Sequence, residues 1–293
     1  MTAGEPRCHV CGSPTAPLGD RPSTFSGRTY HLRQCPACGF AFVANPWTDY
    51  ARIYSAEYYA GRGADPHVDY TFEFEHPEAT VRQYEWRGIL QAVRSLVPVT
   101  PATRWLDFGC GHGGLVRALR ASGCAAAVGY DTGAMAETAR NAGLPILTDE
   151  ALTEGEGTFE IVTLIEVIEH VPEPVDLLRR VRRLLLPRGL LFLTTGNAAP
   201  YRGRLLDWSY VLPDVHVSFF EPDTMARALD RAGFRPEYRR YLPGYADIIR
   251  FKLLKAVRAR RLRAWQRLLP WNAIARVVDA RLAISAHPVG WAR

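Results

Sequence analysis

The sequence lacks any apolar run near the ~20 residues that a membrane-spanning helix needs. Its opening, MTAGEPRCHVCG, also lacks the charged start and apolar core of a secretory signal. Both absences lead us to expect a cytoplasmic protein, with at most a peripheral attachment to a membrane. That setting disfavours disulfides, so the six cysteines need another explanation. Composition sets disorder aside: 47% of the 293 residues are hydrophobic, enough for a full core with additions. Acid is scarce in one region only. Residues 247–293 hold eleven Lys/Arg against two Asp, whereas the other 246 residues hold 25 basic and 28 acidic side chains. The net charge of +6 is therefore a property of the tail, and any search for anionic partners starts there.

Four cysteines stand in two C-x-x-C pairs, Cys8/Cys11 and Cys35/Cys38, each followed by glycine. Two thiolates at that spacing chelate one ion from a tight turn, and the glycine lets the backbone approach the sulfurs. Two such turns complete a closed tetrahedral site of four thiolates, so a structural Zn2+ is expected, in a ribbon over residues 1–45.

The most informative stretch is RWLDFGCGHGG, residues 104–114. Trp105 to Phe108 read as a buried strand, Gly109, Gly111 and Gly113 as a tight turn, and LVRALRASG as a helix. Strand, glycine turn and helix open a doubly wound sheet. The G-x-G-x-G spacing differs from the G-x-G-x-x-G of diphosphate sites. Asp107 would also repel a diphosphate, but it suits a ligand bearing an ammonium group. The next strand ends in Asp131, where a carboxylate can accept both hydroxyls of a ribose.

Together these features resemble the class I S-adenosylmethionine (SAM) methyltransferases. LDFGCGHGG looks like their first motif and GYD like their second, and the likeness covers roughly residues 104–241. It implies an α/β fold: a doubly wound, mostly parallel, seven-stranded Rossmann-like sheet, with SAM as cofactor. On that reading the glycines lie against the methionine part, Asp107 holds the amino-acid end, Asp131 clamps the ribose and Asp149 reaches the adenine amine. Strands are expected at 159–165, in LLFLTT and in RPEYRRY, with a helix over 172–186 ended by PRG. A further helix in EPDTMARALDRAGF is expected to take Asp223 as N-cap and to end at Gly233. Residues 46–100 read as a helical lid or linker, with Tyr58 and Tyr59 as lid residues, and 101–242 as the SAM-binding domain. Residues 243–293 read as basic amphipathic helices, with HPVGWAR returning as the last strand.

IEVIEHV, residues 165–171, then falls at the carboxyl end of the fourth strand. Its E-x-x-E-H-V phrase resembles one common among methyltransferases that include the ubiquinone-biosynthesis O-methyltransferases. In those, and in plant-type small-RNA 2′-O-methyltransferases, the acids and the histidine bind a divalent cation. Carried over here, Glu166, Glu169 and His170 are catalytic or metal-ligating candidates, with Mg2+ the added ion, or residues that only shape the loop, as in many other members. His216, in PDVHVSFF, is a candidate general base or fourth ligand. The sequence favours the metal-independent route, with His216 as base, because the four paired cysteines already account for the clear metal signal.

The expected reaction is O-methylation of a small molecule: a sugar, lipid-linked or secondary-metabolite hydroxyl. A ribbon ahead of such a domain also resembles the deoxysugar C-methyltransferases of bacteria. Two alternatives stay open, an RNA 2′-O-methyltransferase and a catalytically idle SAM-binding scaffold. Against nucleic acid, neither the Asn/Asp-Pro-Pro-aromatic loop nor the K-D-K-E set is evident. The basic tail could serve as an acceptor lid, as an anchor to an anionic membrane surface, or as a packed helix.

Overall fold

The computed structural model describes residues 6–66, 68–282 and 286–292. The chain begins with three antiparallel strands, β1 (Ala16–Pro22), β2 (Thr29–Gln34) and β3 (Ala41–Val43). Three short helices follow, α1 (Tyr50–Ile53), α2 (Ala56–Tyr59) and α3 (Tyr70–Glu75), and then the longer α4 (Arg82–Arg94). The alternating part runs β4 (Trp105–Phe108), α5 (Gly114–Ala121), β5 (Val128–Tyr130), α6 (Ala134–Asn141), β6 (Ile146–Leu147), α7 (Asp149–Glu154), β7 (Phe159–Ile165), α8 (Pro174–Leu184) and β8 (Leu185–Thr194). It ends with β9 (Ser218–Phe219), α9 (Pro222–Arg231), β10 (Phe234–Arg240), α10 (Tyr245–Ala256), α11 (Trp271–Leu282) and β11 (Ala286–Ala292).

Seven strands form one sheet in the order β10-β11-β8-β7-β4-β5-β6. Strands β4 to β8 pair in parallel, and β11 enters antiparallel between β8 and β10. The expected last strand is therefore present, and α10 and α11 lie in an insertion before it. Parallel strands are covered on both faces, so they read as continuous apolar runs. Alternate side chains divide between two cores. Leu106, Val162, Leu164, Leu191 and Leu193 meet Leu178, Val181 and Met225 of α8 and α9. Trp105, Ile161, Leu190 and Phe192 meet Ile89 and Val93 of α4 and Leu119 of α5. Strand order reverses direction about β4 and β7, which opens a crevice at their carboxyl ends.

Two local expectations change. Pro187-Arg188-Gly189, expected to separate helix from strand, lies inside β8, where the register with β7 shifts between Phe159 and Ile161 and Arg188 takes φ 63°. Asp223 is not an N-cap. Glu221 holds the N-cap position with its carboxylate turned to Arg202, Pro222 takes the first helical position that its fixed φ suits, and Asp223 sits in the first turn.

Two further features place the site. The ribbon sheet is completed by β9, a strand from beyond β8, in the order β1-β2-β3-β9. The basic tail is divided: Ile248, Ile249, Phe251 and Leu254 of α10 are buried, and Ile248 joins the α4–α5 core. Burying each such side chain contributes about 1.5–3 kcal/mol, so α10 belongs to the protein interior.

Candidate cofactor cleft and metal centres

The crevice is a cavity of about 830 Å³, lined from the glycine turn to His216. Gly109 N and Cys110 N donate to Tyr130 O, which ties the turn to the end of β5. Gly109 (φ 80°) has no room for a side chain, since a Cβ would stand 2.4 Å from Val167 Cγ2. Gly111 (φ 53°) has no atom within 4 Å of its Cβ position, so it leaves an open cradle beside the cavity. Asp131 fixes this cradle, its two carboxylate oxygens accepting from Gly111 N at 2.9 Å and Gly133 N at 2.7 Å. Each oxygen keeps a lone pair for a further donor such as a diol. Tyr59 closes the same end, its hydroxyl 2.4 Å from where a Gly133 Cβ would stand. Tyr58 packs edge-on to Tyr54 and Tyr59 as part of the wall.

Asp107 lines the cavity while 4% exposed, and it accepts from Thr163 Oγ1 at 2.8 Å. Burial pushes its carboxyl up to about 7, with the Asp131 charge adding to the shift and the Thr163 hydroxyl opposing it. A bound cation would restore the ionised form.

Two cofactor candidates fall elsewhere. Gly113 is the N-cap of α5, packed toward Leu144 and Ile146, and is absent from the cavity wall. Asp149 accepts from the Tyr130 hydroxyl at 2.5 Å and pairs with Arg180 at 3.2 Å on the surface. It does not line the cavity, because it begins α7 and turns to those partners.

At the other end of the cavity the EVIEH loop divides its acids. Glu166 adopts φ 55° and is 2.8 Å from Lys252 Nζ and 3.0 Å from Thr194 Oγ1. Burial alone would raise its carboxyl, but the Lys252 ammonium outweighs that and holds it low. Glu169 is fully buried, accepting from Thr195 Oγ1 at 2.8 Å and Tyr210 Oη at 2.5 Å, and burial with the Glu166 charge pushes it up to about 7.

Of the expected Glu166, Glu169 and His170, the structure brings two together with His216. Ligand atoms of Glu169, His170 and His216 lie within 4.8 Å of one another, while Glu166 is held by Lys252. Metal–ligand bonds of about 2.0–2.2 Å span such a set after small rotations. His216 Nδ1 faces Tyr210 O at 2.7 Å, and a carbonyl only accepts, so that nitrogen carries the proton and Nε2 is free. His170 Nδ1 is 3.2 Å from the Tyr54 hydroxyl. Burial lowers both histidines, His170 to about 3, and keeps them neutral near pH 7, the form in which imidazole binds a metal.

Sequence reasoning missed a chain of charges that joins the two ends. His112 contacts Glu73 at 3.2 Å, Arg82 bridges Glu73 and Glu85 at 3.0 and 2.7 Å, and Lys252 reaches Glu85 at 3.7 Å and Glu166 at 2.8 Å. Its members come from α3, α4, the glycine turn, the EVIEH loop and α10, so no local spacing could reveal it. Tyr210, which positions both Glu169 and His216, was also missed, although it stands close before PDVH.

The four ribbon sulfurs lie within 4.8 Å of one another, with Cys8–Cys38 at 3.5 Å and Cys11–Cys35 at 3.4 Å. A tetrahedral Zn2+ with bonds of about 2.3 Å needs sulfurs about 3.8 Å apart, so the set fits. Gly12 and Gly39 take φ 78° after each pair and donate to the Cys8 and Cys35 carbonyls. The ribbon also grips the segment that carries His216. Tyr30 Oη donates to Asp214 at 2.8 Å, Val43 N donates to Val217 O, and Val217 N donates to Glu169 O.

A family model described as a methyltransferase domain matches residues 79–238. The chain belongs to the class I SAM-dependent methyltransferases. Ubiquinone biosynthesis O-methyltransferases are among its relatives. That of Bordetella avium is 30% identical over 165 residues, 50% of this chain and 68% of that protein. Those of Methylococcus capsulatus and Neisseria meningitidis are 32% and 34% identical, each over 44% of this chain and 63% of the relative. The chain spans between about half and two thirds of the length of the curated relatives it matches. Among the described residues no helix is long and apolar enough to cross a membrane.

Proposed function

We propose that the protein transfers a methyl group from SAM to a hydroxyl of a small molecule. The observation that carries this reading is one continuous cavity, with the Gly111 cradle, Asp107 and Asp131 at one end and Glu169, His170 and His216 at the other. SAM, when bound, supplies a methyl already activated as a sulfonium. Asp131 would accept from the ribose hydroxyls and Asp107 from the ammonium, while Tyr59 closes over the turn. The acceptor half must orient the hydroxyl and take its proton. In the transfer the sulfonium–methyl bond breaks, an oxygen–methyl bond forms, and the proton leaves for His216 Nε2 or solvent.

The same half fits a divalent cation held by Glu169, His170 and His216, which would lower the pKa of an acceptor hydroxyl. The lowered basicity of His216 favours this metal-assisted route over the metal-free base expected from sequence, because an unaided base works best with a pKa near the working pH. Zinc held by the ribbon would have a structural role, since four thiolates leave no open position.

The test incubates the protein with methyl-labelled SAM and fractionated cell extract. Label should enter a small-molecule or lipid fraction and not RNA. It should fall with a chelator that leaves ribbon zinc in place and return with Mg2+ or Mn2+. Label in RNA, or none anywhere despite SAM binding, would refute the small-molecule reading. Activity indifferent to chelation would refute the cation.

A further inference from the structure

Beyond α10 most of the tail turns to the surface. Among the described residues, five of the eight exposed large hydrophobic side chains fall between Val257 and Val277. Three of them, Trp265, Leu268 and Leu269, lie on and just after the single 3-10 turn Ala264–Arg267. Leu268 is 84% exposed, so with its two neighbours it forms an apolar patch on the surface.

The display is built, not frayed. Gln266, between these residues, is fully buried. Its Oε1 accepts from Arg263 N at 3.1 Å and Tyr84 Oη at 3.3 Å, and its Nε2 donates to Arg261 O at 3.2 Å. Its carbonyl accepts from Trp271 Nε1 and from Arg250. One buried amide thus rivets the turn to α4, α10 and α11 and holds its apolar neighbours outward.

Charge surrounds the crest. Residues 248–278 contain nine Lys/Arg and no acid. Arg260 is neutralised by Asp69 and Arg261 lies over Phe72, but Arg258, Arg263 and Arg267 are exposed and have no ion pair among the described residues.

We propose that this surface docks on an anionic lipid bilayer, with Trp265, Leu268 and Leu269 entering the interface and the arginines meeting lipid phosphates. A rigid apolar crest flanked by Arg258, Arg263 and Arg267 fits a surface that is apolar just beneath an anionic layer. A second copy of the chain would bring like charge against like. Nucleic acid fits less well, since Trp265 alone offers a stacking surface and Leu268 and Leu269 offer base edges no polar reader. α10, in the same insertion, carries Lys255 to the cavity wall, so docking would set the cavity beside the bilayer. The docking does not depend on the methyl-transfer reading.

The test is flotation of the full-length protein with phosphatidylcholine vesicles, with and without phosphatidylglycerol, at low and high salt. Binding should require the anionic lipid and fade with salt. Trp265→Ala/Leu268→Ser/Leu269→Ser should weaken it by at least about tenfold, since the crest's apolar burial is lost. Arg263→Gln/Arg267→Gln should weaken it and flatten its salt dependence. All five sites are exposed, so melting temperature and SAM affinity should stay as in the native protein, which separates this result from misfolding and from failure of the cofactor reading. Fluorescence quenching by brominated lipid should diminish in Trp265→Phe. Native protein that ignores the anionic vesicles, a crest variant that binds undiminished, or preferential binding to RNA that only the arginine changes abolish would each overturn the proposal.

Discussion

Asp107 makes a sharp prediction about pH. Its carboxyl, ordinarily near 3.8, is pushed up to about 7 by burial, so near neutrality the unliganded protein is divided between protonated and ionised forms. An ammonium ligand binds the ionised form. SAM affinity should therefore fall about tenfold, or about 1.4 kcal/mol, for each unit below about pH 7. The ligand's own amino group, with an ordinary pKa of about 7.7–8.0, should lower affinity again on the alkaline side. Calorimetry between about pH 5.5 and 9 should show a bell peaking between the two values. Asp107→Asn should abolish the acid limb, keep the alkaline one, and lower peak affinity by about 1.5–3 kcal/mol, typical of a lost hydrogen bond to a charged group. Thr163→Val removes the hydroxyl that opposes the shift and should move the acid limb to higher pH. The sign for stability is independent of the ligand. The native pKa lies above the unfolded one, so the native state holds the extra proton between about pH 4 and 7. Stability of the unliganded protein should decline as pH rises through that window, by up to about 4 kcal/mol from Asp107. Glu169, also raised to about 7, shares this slope, whereas SAM affinity reports Asp107. A native affinity profile flat from pH 5.5 to 7, or an unchanged acid limb in Asp107→Asn, would refute the assignment of the ammonium to Asp107.

Cys35→Ser should release the ribbon's equivalent of zinc and lower the melting temperature, since structural zinc contributes folding free energy; a metal analysis showing no zinc in the native protein would contradict this. Lys252→Met leaves Glu166 without its cation and should cost about 1–3 kcal/mol at neutral pH, less than for a fully buried pair because both side chains are partly exposed. Because the folded pKa of Glu166 is depressed, the loss should be full above its unfolded value and shrink as pH falls through the folded one. Denaturant titrations that show the same deficit at acid and neutral pH would count against the pair.

Local chemistry made parts of this protein readable from its sequence alone. The C-x-x-C-G pairs specify their own turns, because two thiolates and a left-handed glycine within five residues leave few other conformations. The strand, glycine turn and helix at 105–121 and the strand at 159–165 are written in apolar runs bounded by glycine, and the acids at strand ends follow from the fold's open crevice. Side-chain partners at long range were decided only by the tertiary structure. Asp149 and Gly113 suit a cofactor by sequence position, yet the starts of α7 and α5 turn them to other contacts. Glu166 and Glu169 look equivalent in IEVIEHV, yet Lys252 from α10 holds one ionised while burial beside it raises the other, and His216 completes the cluster. The tail reads as one basic amphipathic stretch, but packing on α4 draws Ile248, Phe251 and Leu254 into the core and leaves Trp265 and Leu268 outside. Turn and strand preferences depend on neighbours in the chain. The charge state of a carboxylate and the face a helix buries depend on what folding brings against them, and a sequence pattern carries no record of that.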